Sequence, residues 1–235
     1  MITSENLYHR QNETREMFNR IARTYDPLNR GLTCGIDTLW RKKSIALMGI
    51  GENSVILDVA TGTGDMAFLA LKNNAALVIG IDPAFEMIRK TSRKLTTYSR
   101  KFFAVESFGE TLPLTHDYFS HVMISYGIRN IADRPLALKE FYRVLQPGGK
   151  LAVLEFSRPI LPMVQTLYNA YFQHILTRIG GWVSGDRKAY EYLHTSVTEF
   201  PPKEAFIQEC TAAGFQVTAV KSMFLGVCTF YLFHK

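Results

Sequence analysis

Apolar residues recur along this chain with two periods, and the two alternate. Between Val55 and Phe156, short apolar runs of strand length are separated by amphipathic stretches of helical length. The runs Val55–Val59, Leu77–Ile81, Phe102–Val105, His121–Ser125 and Lys150–Phe156 predict five strands. Asp65–Lys72, Phe85–Thr97 and Pro135–Leu145 predict helices among them, and Gln146-Pro147-Gly148-Gly149 predicts a sharp stop to the last. Such alternation implies a parallel, doubly wound sheet. Ahead of it, Glu13–Tyr25, with Met17, Phe18, Ile21 and Tyr25 on one stripe, and Asp37–Met48 read as helices that cap the fold. Behind it the alternation breaks. Ile160–Ile179 reads as a long amphipathic helix, Gly180–Glu199 as a polar stretch, and Lys203–Ala213 as a helix ended by Gly214. Phe215–Val220 and Thr229–Phe233 predict two strands with no helix between them, hence an antiparallel pair closing the sheet. With no internal repeat, low-complexity tract or linker, the chain reads as one domain: a helical cap over 1–50, a nucleotide-binding core over 51–158, and substrate-side helices with closing strands over 159–235.

The first strand-to-helix junction carries the chemistry. Leu57-Asp58-Val59-Ala60-Thr61-Gly62-Thr63-Gly64-Asp65 closes an apolar run and opens a periodic one. A tight glycine turn there lets a ligand lie against bare backbone at a helix N-terminus, where amide donors are unpaired. Gly62-Thr63-Gly64-Asp65-Met66-Ala67 formally fits the dinucleotide pattern G-x-G-x-x-G/A. A pyrophosphate, however, would meet the charges of Asp65 and Asp58. S-adenosylmethionine (SAM) has no phosphate and carries a sulfonium and an ammonium, which nearby carboxylates attract. Asp82, at the end of the second strand, is spaced to accept hydrogen bonds from both ribose hydroxyls. The blander reading makes Asp65 a helix-cap acid and Asp82 a turn residue. Three acids and two glycines agreeing on one crevice favour SAM, with Asp58, Gly62, Thr63, Gly64 and Asp82 around it. The fold class expected is therefore α/β: the class I SAM-dependent methyltransferase, Rossmann-like fold. Its sheet is mostly parallel and seven-stranded, with an antiparallel edge hairpin and an N-terminal helical cap.

Composition narrows the setting. The 235 residues are 47% hydrophobic and 20% charged, which allows a sizeable core without disulfides or metal. The three cysteines, Cys34, Cys210 and Cys228, form no C-x-x-C pair, and His116, His121, His174 and His194 show no ligand spacing, so no metal is expected. A reducing cytoplasm fits this usage. No apolar leader or spanning run is evident. The net charge of +6 suits an anionic surface such as lipid headgroups as well as it suits plain solubility. The basic residues at Arg41-Lys42-Lys43 and from Arg89 to Lys101 are not interleaved with aromatics, so no nucleic-acid partner is expected.

Several segments together resemble the UbiE/MenG methyltransferases, which add a carbon-bound methyl group in menaquinone and ubiquinone biosynthesis. Tyr25-Asp26-Pro27-Leu28-Asn29, followed by Leu32-Thr33, Gly35, Asp37 and Trp40, is similar to the family's N-terminal signature. Leu57–Asp65 resembles its SAM loop, and Ile124-Ser125-Tyr126-Gly127-Ile128-Arg129-Asn130 its segment after strand 4. Arg143-Val144-Leu145-Gln146-Pro147-Gly148-Gly149, closing with Glu155-Phe156-Ser157, resembles the second signature. Ser184-Gly185-Asp186, Ala189-Tyr190, Tyr192-Leu193 and Phe200-Pro201 are similar to its C-terminal region. The resemblance spans nearly the whole chain. It implies cofactor contacts at Thr63, Asp82, Phe108-Gly109 and Ser125. Here Phe108 stands where the family carries a polar residue that would bond the adenine amino group; Phe108 can only stack on the ring, so either Ser107 or Glu110 substitutes or the match is shifted by one residue.

The resemblance also implies the reaction: methylation of a prenylated demethylquinol, demethylmenaquinol foremost, with the benzoquinol of ubiquinone synthesis as the alternative ring. The donor is already activated, so the protein must align and desolvate. A ring carbon becomes nucleophilic when a reduced quinol loses a hydroxyl proton. That calls for a base, a cation for the developing phenolate and an apolar pocket for the tail. Arg129, just after strand 4 at the carboxyl edge, is the candidate cation, against a surface ion pair with Asp133. Asp26 and Tyr25 on the cap are the candidate bases, against roles in helix termination and packing. The prenylated substrate gives a reason for transient association with the inner face of the cell membrane. Small-molecule O-methylation, a non-catalytic SAM-binding scaffold and an NAD-dependent oxidoreductase are the rival readings. The sequence leaves prenyl length and oligomeric state open.

Overall fold

A computed structural model of the protein describes residues 4–33, 35–159, 163, 165, 166 and 187–235. Seven strands form one sheet in the order β3-β2-β1-β4-β5-β7-β6. They are β1 Val55–Val59, β2 Leu77–Asp82, β3 Phe102–Glu106, β4 Phe119–Ser125, β5 Leu145–Phe156, β6 Gln216–Met223 and β7 Cys228–His234. β1 to β5 run parallel; β7 pairs antiparallel to both β5 and β6. The described helices are α1 Ser4–Ile21, α2 Tyr25–Leu32, α3 Ile36–Met48, α4 Asp65–Lys72, α5 Phe85–Lys94, α6 Arg134–Val144, α7 Arg187–Glu199 and α8 Lys203–Ala212.

Strict alternation along the strands sends side chains into two cores. In β5, Leu151 and Val153 join α6 and α8 on one face, while Ala152 and Leu154 join α3 and α4 on the other. In β7, Tyr231 and Phe233 face the first core, Phe230 and Leu232 the second. The first core is rich in aromatics, with Phe119, Phe141, Phe206 and Phe215 fully buried. A sheet covered on both faces requires near-continuous apolar strands, and that is why period 2 is weak in them.

Three boundaries differ from expectation for identifiable reasons. The N-terminal helix begins at Ser4, not Glu13, and ends at Ile21. A turn over Ala22–Thr24 separates it from α2, so Tyr25 starts a second helix rather than ending the first. Pro27 lies in the first turn of α2, where its missing N–H costs nothing. The stretch read as polar over Gly180–Glu199 contains α7. Gln146–Gly149 follows a helix that stops at Val144, and forms a bulged opening to β5, with the register shifting between Phe119 and His121 of β4. Of the helix expected over Ile160–Ile179, all but residues 163, 165 and 166 lie outside the described residues. Among the described residues, no helix is long and apolar enough to cross a membrane.

Candidate active site

The glycine turn leaves β1 through Ala60, itself at φ 49°. Gly62 and Gly64 follow at φ 57° and 78°. The left-handed region is cheap for glycine alone. At Gly64 a β-carbon would also lie 2.7 Å from Thr91 Cγ2 on α5. Thr61 N–H donates to the Ile81 carbonyl at 2.9 Å, tying the turn to β2. Beneath it, Thr61 Oγ1 donates to Asp58 Oδ2 at 2.7 Å.

Asp82 closes the turn from the other side. Its Oδ2 accepts from Gly62 N–H and its Oδ1 from Ala84 N–H, each at 2.9 Å. Both acids are buried, and burial raises them: Asp82 to about 6, against the pull of those two amides, and Asp58 to about 7, against Thr61 and Arg41. Asp65 behaves differently. Burial pushes it up, but Arg41, Lys94 and Arg30 hold it below the usual range, and Lys94 bonds it directly. Of the three acids read as one crevice, only Asp82 lines the cleft; Asp58 lies under the turn and Asp65 is neutralised beside it.

That cleft occupies about 700 Å³ including its open mouth, at the carboxyl ends of the strands where the order reverses between β1 and β4. Its wall comes from Val59-Ala60 and Gly62, Asp82-Pro83, Ser107 to Glu110, and Ser125 to Gly127. Gln11, Thr14 and Phe18 of α1 and Tyr25 of α2 close the opposite side. Tyr126, at φ 58°, is a second non-glycine left-handed residue at a strand end here. The structure thus brings Tyr25, Gly62, Asp82, Phe108, Gly109 and Ser125 together at one surface. Glu110 is drawn into bracing the wall: its Oε1 accepts from Gln11 Nε2, Ala132 N–H and Asp133 N–H. Ser107 Oγ donates to the Phe108 and Thr111 carbonyls.

The residues read as catalytic stand elsewhere than expected, Tyr25 excepted. Asp26 accepts from Thr63 Oγ1 at 2.5 Å and pairs with Lys90 Nζ at 3.0 Å, which locks the cap onto the glycine turn. Arg129 pairs with neither solvent nor Asp133, whose carboxylate caps α6 through Leu136 N–H. Its Nη1 donates to Glu155 Oε1 and to the Tyr126 carbonyl, each at 2.6 Å, and Nε to Ser196 Oγ at 3.3 Å. Glu155 is fully buried at the end of β5 and holds the guanidinium above its ordinary range against burial. The guanidinium stacks on Phe156, Phe156 on Tyr126, and Arg41 on the far side of Tyr126. Burial raises Tyr25 above its ordinary value, opposed by the charges of Arg129 and Arg41.

Arg41 of α3 backs the cleft wall, donating from Nη1 to Ser125 Oγ at 3.3 Å, a contact the sequence did not announce. It sits next to Lys42 and Lys43, which are exposed, so the three read as one solvated basic cluster. The signal available was Asp37 one helical turn earlier, whose carboxylate lies 3.6 Å from Arg41 Nε. Among the described residues, no group of three or more His, Cys, Asp or Glu could hold a metal ion.

Comparison with known proteins agrees with this geometry. The sequence model of the ubiE/COQ5 methyltransferase family matches residues 7–235. The ubiquinone/menaquinone biosynthesis C-methyltransferase UbiE of Syntrophotalea carbinolica is 40% identical over 225 residues, 95% of this chain and 94% of that one. Its counterpart in Campylobacter jejuni subsp. jejuni serotype O:6 is 38% identical over 236 residues, 96% of this chain and 99% of that one. Among solved structures, the methyltransferase bound to the Haloferax volcanii Trm112 activator superposes with a TM-score of 0.67 at 17% identity, over 92% of this chain and 96% of that one. The [4+2]-cyclase SpnF gives 0.67 at 15% identity, over 94% of each. A cyclase on this fold makes plain that the architecture does not by itself choose the reaction.

Proposed function

The chain belongs to the ubiE/COQ5 methyltransferase family, and from that premise we propose that it transfers a methyl group from SAM to a ring carbon of a prenylated demethylquinol, demethylmenaquinol in the first place. The observation that carries the reading is the cleft at the β1/β4 switch point, with the glycine turn and Asp82 on one wall and Phe18 and Tyr25 of the cap on the other. The residues present fit the cosubstrate. The left-handed turn offers bare backbone, the Asp82 carboxylate has lone pairs left for vicinal hydroxyls, and Phe108 offers a ring face to an adenine. When bound, SAM supplies a methyl group already activated on a sulfonium.

The chain's own residues align and dry the reactants. Phe18, Ile131 and Tyr126 give the cleft an apolar lining that excludes water from the ring. Tyr25, held protonated at neutral pH by burial, donates a hydrogen bond to the ring oxygen on which charge develops. Arg129 serves that charge through its field at Tyr25 and by holding the Tyr126 carbonyl, rather than as an open cation in the cleft. Asp26 serves as the tether between cap and turn.

The acid shifts give a pH dependence. A ligand that requires ionised Asp82, the acid on the cleft wall, binds best above about 6. SAM affinity measured by calorimetry is expected to fall as pH drops below that value, with a slope of log affinity approaching about one proton. Because the folded values of Asp58 and Asp82 lie above the ordinary carboxylate value of 3.8, these groups make the ligand-free protein lose stability as pH rises from that value to about 7 and about 6, the opposite sign to binding. A flat affinity profile between pH 5.5 and 8 contradicts the assignment.

The test of the function is turnover with demethylmenaquinol and with the demethylated benzoquinol, each with and without a chemical reductant. Product is expected from the reduced naphthoquinol; equal turnover of the oxidised quinone would overturn the role given to the ring hydroxyl. The tail also motivates transient membrane association, aided by the net charge of +6. Flotation with anionic liposomes reads it, and no flotation even with substrate present removes it.

A further inference from the structure

Arg41 is a largely buried cation behind the Ser125-Tyr126 side of the cleft wall, and the fold does not fully satisfy it. Its Nε is buried and has no hydrogen-bond partner among the described residues. The Asp37 carboxylate is 3.6 Å away, beyond hydrogen-bonding reach. Nη1 donates to Ser125 Oγ at 3.3 Å, a long contact to a residue of the cleft wall. One face of the guanidinium covers Tyr126, with its carbon 4.8 Å from the ring centroid, and Tyr126 also lines the cleft. The acids nearest in charge are committed elsewhere: Asp58 to Thr61, Asp65 to Lys94 and Arg30. A desolvated guanidinium with an idle N–H is costly unless an anion completes it.

The proposed cosubstrate has such an anion. Its amino-acid end carries a carboxylate beside the ammonium. A crevice with the Asp82 carboxylate on its wall favours the ammonium and sulfonium over that carboxylate, so some cation must receive it. The order of the wall sets the end at which this happens. Phe108 and Asp82 lie toward β2 and β3, the glycine turn in the middle, and Ser125 at the end of β4, on the side where Arg41 enters. We propose that Arg41 is the receptor for the α-carboxylate of SAM, with Ser125 as its neighbour on the cleft wall. Arginine suits the task, because its planar fork matches a carboxylate with two donors. The inference rests on the function proposed above and adds the residue that reads the donor's free acid.

The test compares SAM with its decarboxylated analogue, S-adenosyl-3-methylthiopropylamine, by calorimetry. The wild-type protein is expected to prefer SAM by about tenfold to a hundredfold, the span of a charge-assisted contact. Arg41→Gln should weaken SAM by that factor and leave the analogue unchanged, so that the preference collapses toward one. Arg41→Lys, which keeps the charge and loses the fork, should retain part of it. A merely structural role for Arg41 would weaken both ligands alike and preserve the ratio, which overturns the assignment. Should Arg41→Gln fail to fold, the wild-type ratio decides: no preference for SAM over the analogue overturns the proposal. A wild-type protein that binds neither compound refutes the SAM-dependent function itself, an outcome distinct from a failure at Arg41.

Discussion

Replacing Asp82 with alanine is expected to weaken SAM binding by about a hundredfold or more. The carboxylate already spends one lone pair on Gly62 N–H and one on Ala84 N–H, which fixes both its orientation and the turn. The remaining lone pairs would accept two ribose hydroxyls. Two hydrogen bonds to a charged acceptor contribute roughly 3–6 kcal/mol together, and the lost support of Gly62 adds to that. The folded state should suffer less. The variant removes a buried charge whose ionisation burial already disfavours, as its shift to about 6 records. Calorimetry with SAM and a thermal melt of the same preparation separate the two effects. A loss of affinity under tenfold, with the fold intact, would remove Asp82 from the ribose site.

Glu155→Ala is expected to cost about 3–5 kcal/mol of stability. Glu155 is fully buried, and its carboxylate accepts from Arg129 Nη1 at 2.6 Å, from Phe156 N–H at 2.8 Å and from Arg129 N–H at 3.4 Å. Truncation leaves a guanidinium under Phe156 with no counter-charge. Arg129→Ala should cost a similar amount by orphaning Glu155. Removing both, with Arg129→Met and Glu155→Leu, should cost much less than the sum, because the penalty lies in the unpaired charge rather than in the pair's net worth. Denaturant midpoints of the two single variants and the double one check this. A loss below about 1 kcal/mol for either single variant would mean that water reaches the pair.

The core of the fold was legible because its signals are local. Val55–Val59, the glycine turn and Asp65–Lys72 match the structure residue for residue, since the period changes there from strand to helix around two glycines. The antiparallel pairing of β6 with β7 followed from the missing helix between two late apolar runs, whereas the placing of β7 between β5 and β6 did not. The N-terminal cap was harder to read. The first three turns of α1 are polar, and Asp26-Pro27 reads as a terminator although proline is at home in a first turn. Four apolar-periodic positions in α7 were too few to stand against its polar neighbours.

The site was legible where backbone geometry dictated it and illegible where long-range packing did. Glycines at positive φ and an acid at a strand end are sequence features, so Gly62 and Asp82 were readable. Arg129 meets Glu155 across 26 positions of sequence, and Thr63 meets Asp26 across 37. No local pattern announces such a partner, and a charged residue next to a strand end reads equally well as a reagent or as a brace. Arg41 shows the converse. Neighbours on a helix point about 100° apart, so one member of a basic run can turn inward while two remain in water.

The most direct measurement follows the methyl group itself. The protein is incubated with reduced demethylmenaquinol and SAM carrying a carbon-13 methyl, and the product is read by NMR. The account predicts a single labelled methyl bonded to a quinol ring carbon. A label on the ring oxygen, or a protein that binds SAM and leaves the reduced naphthoquinol and benzoquinol both unlabelled, would contradict it.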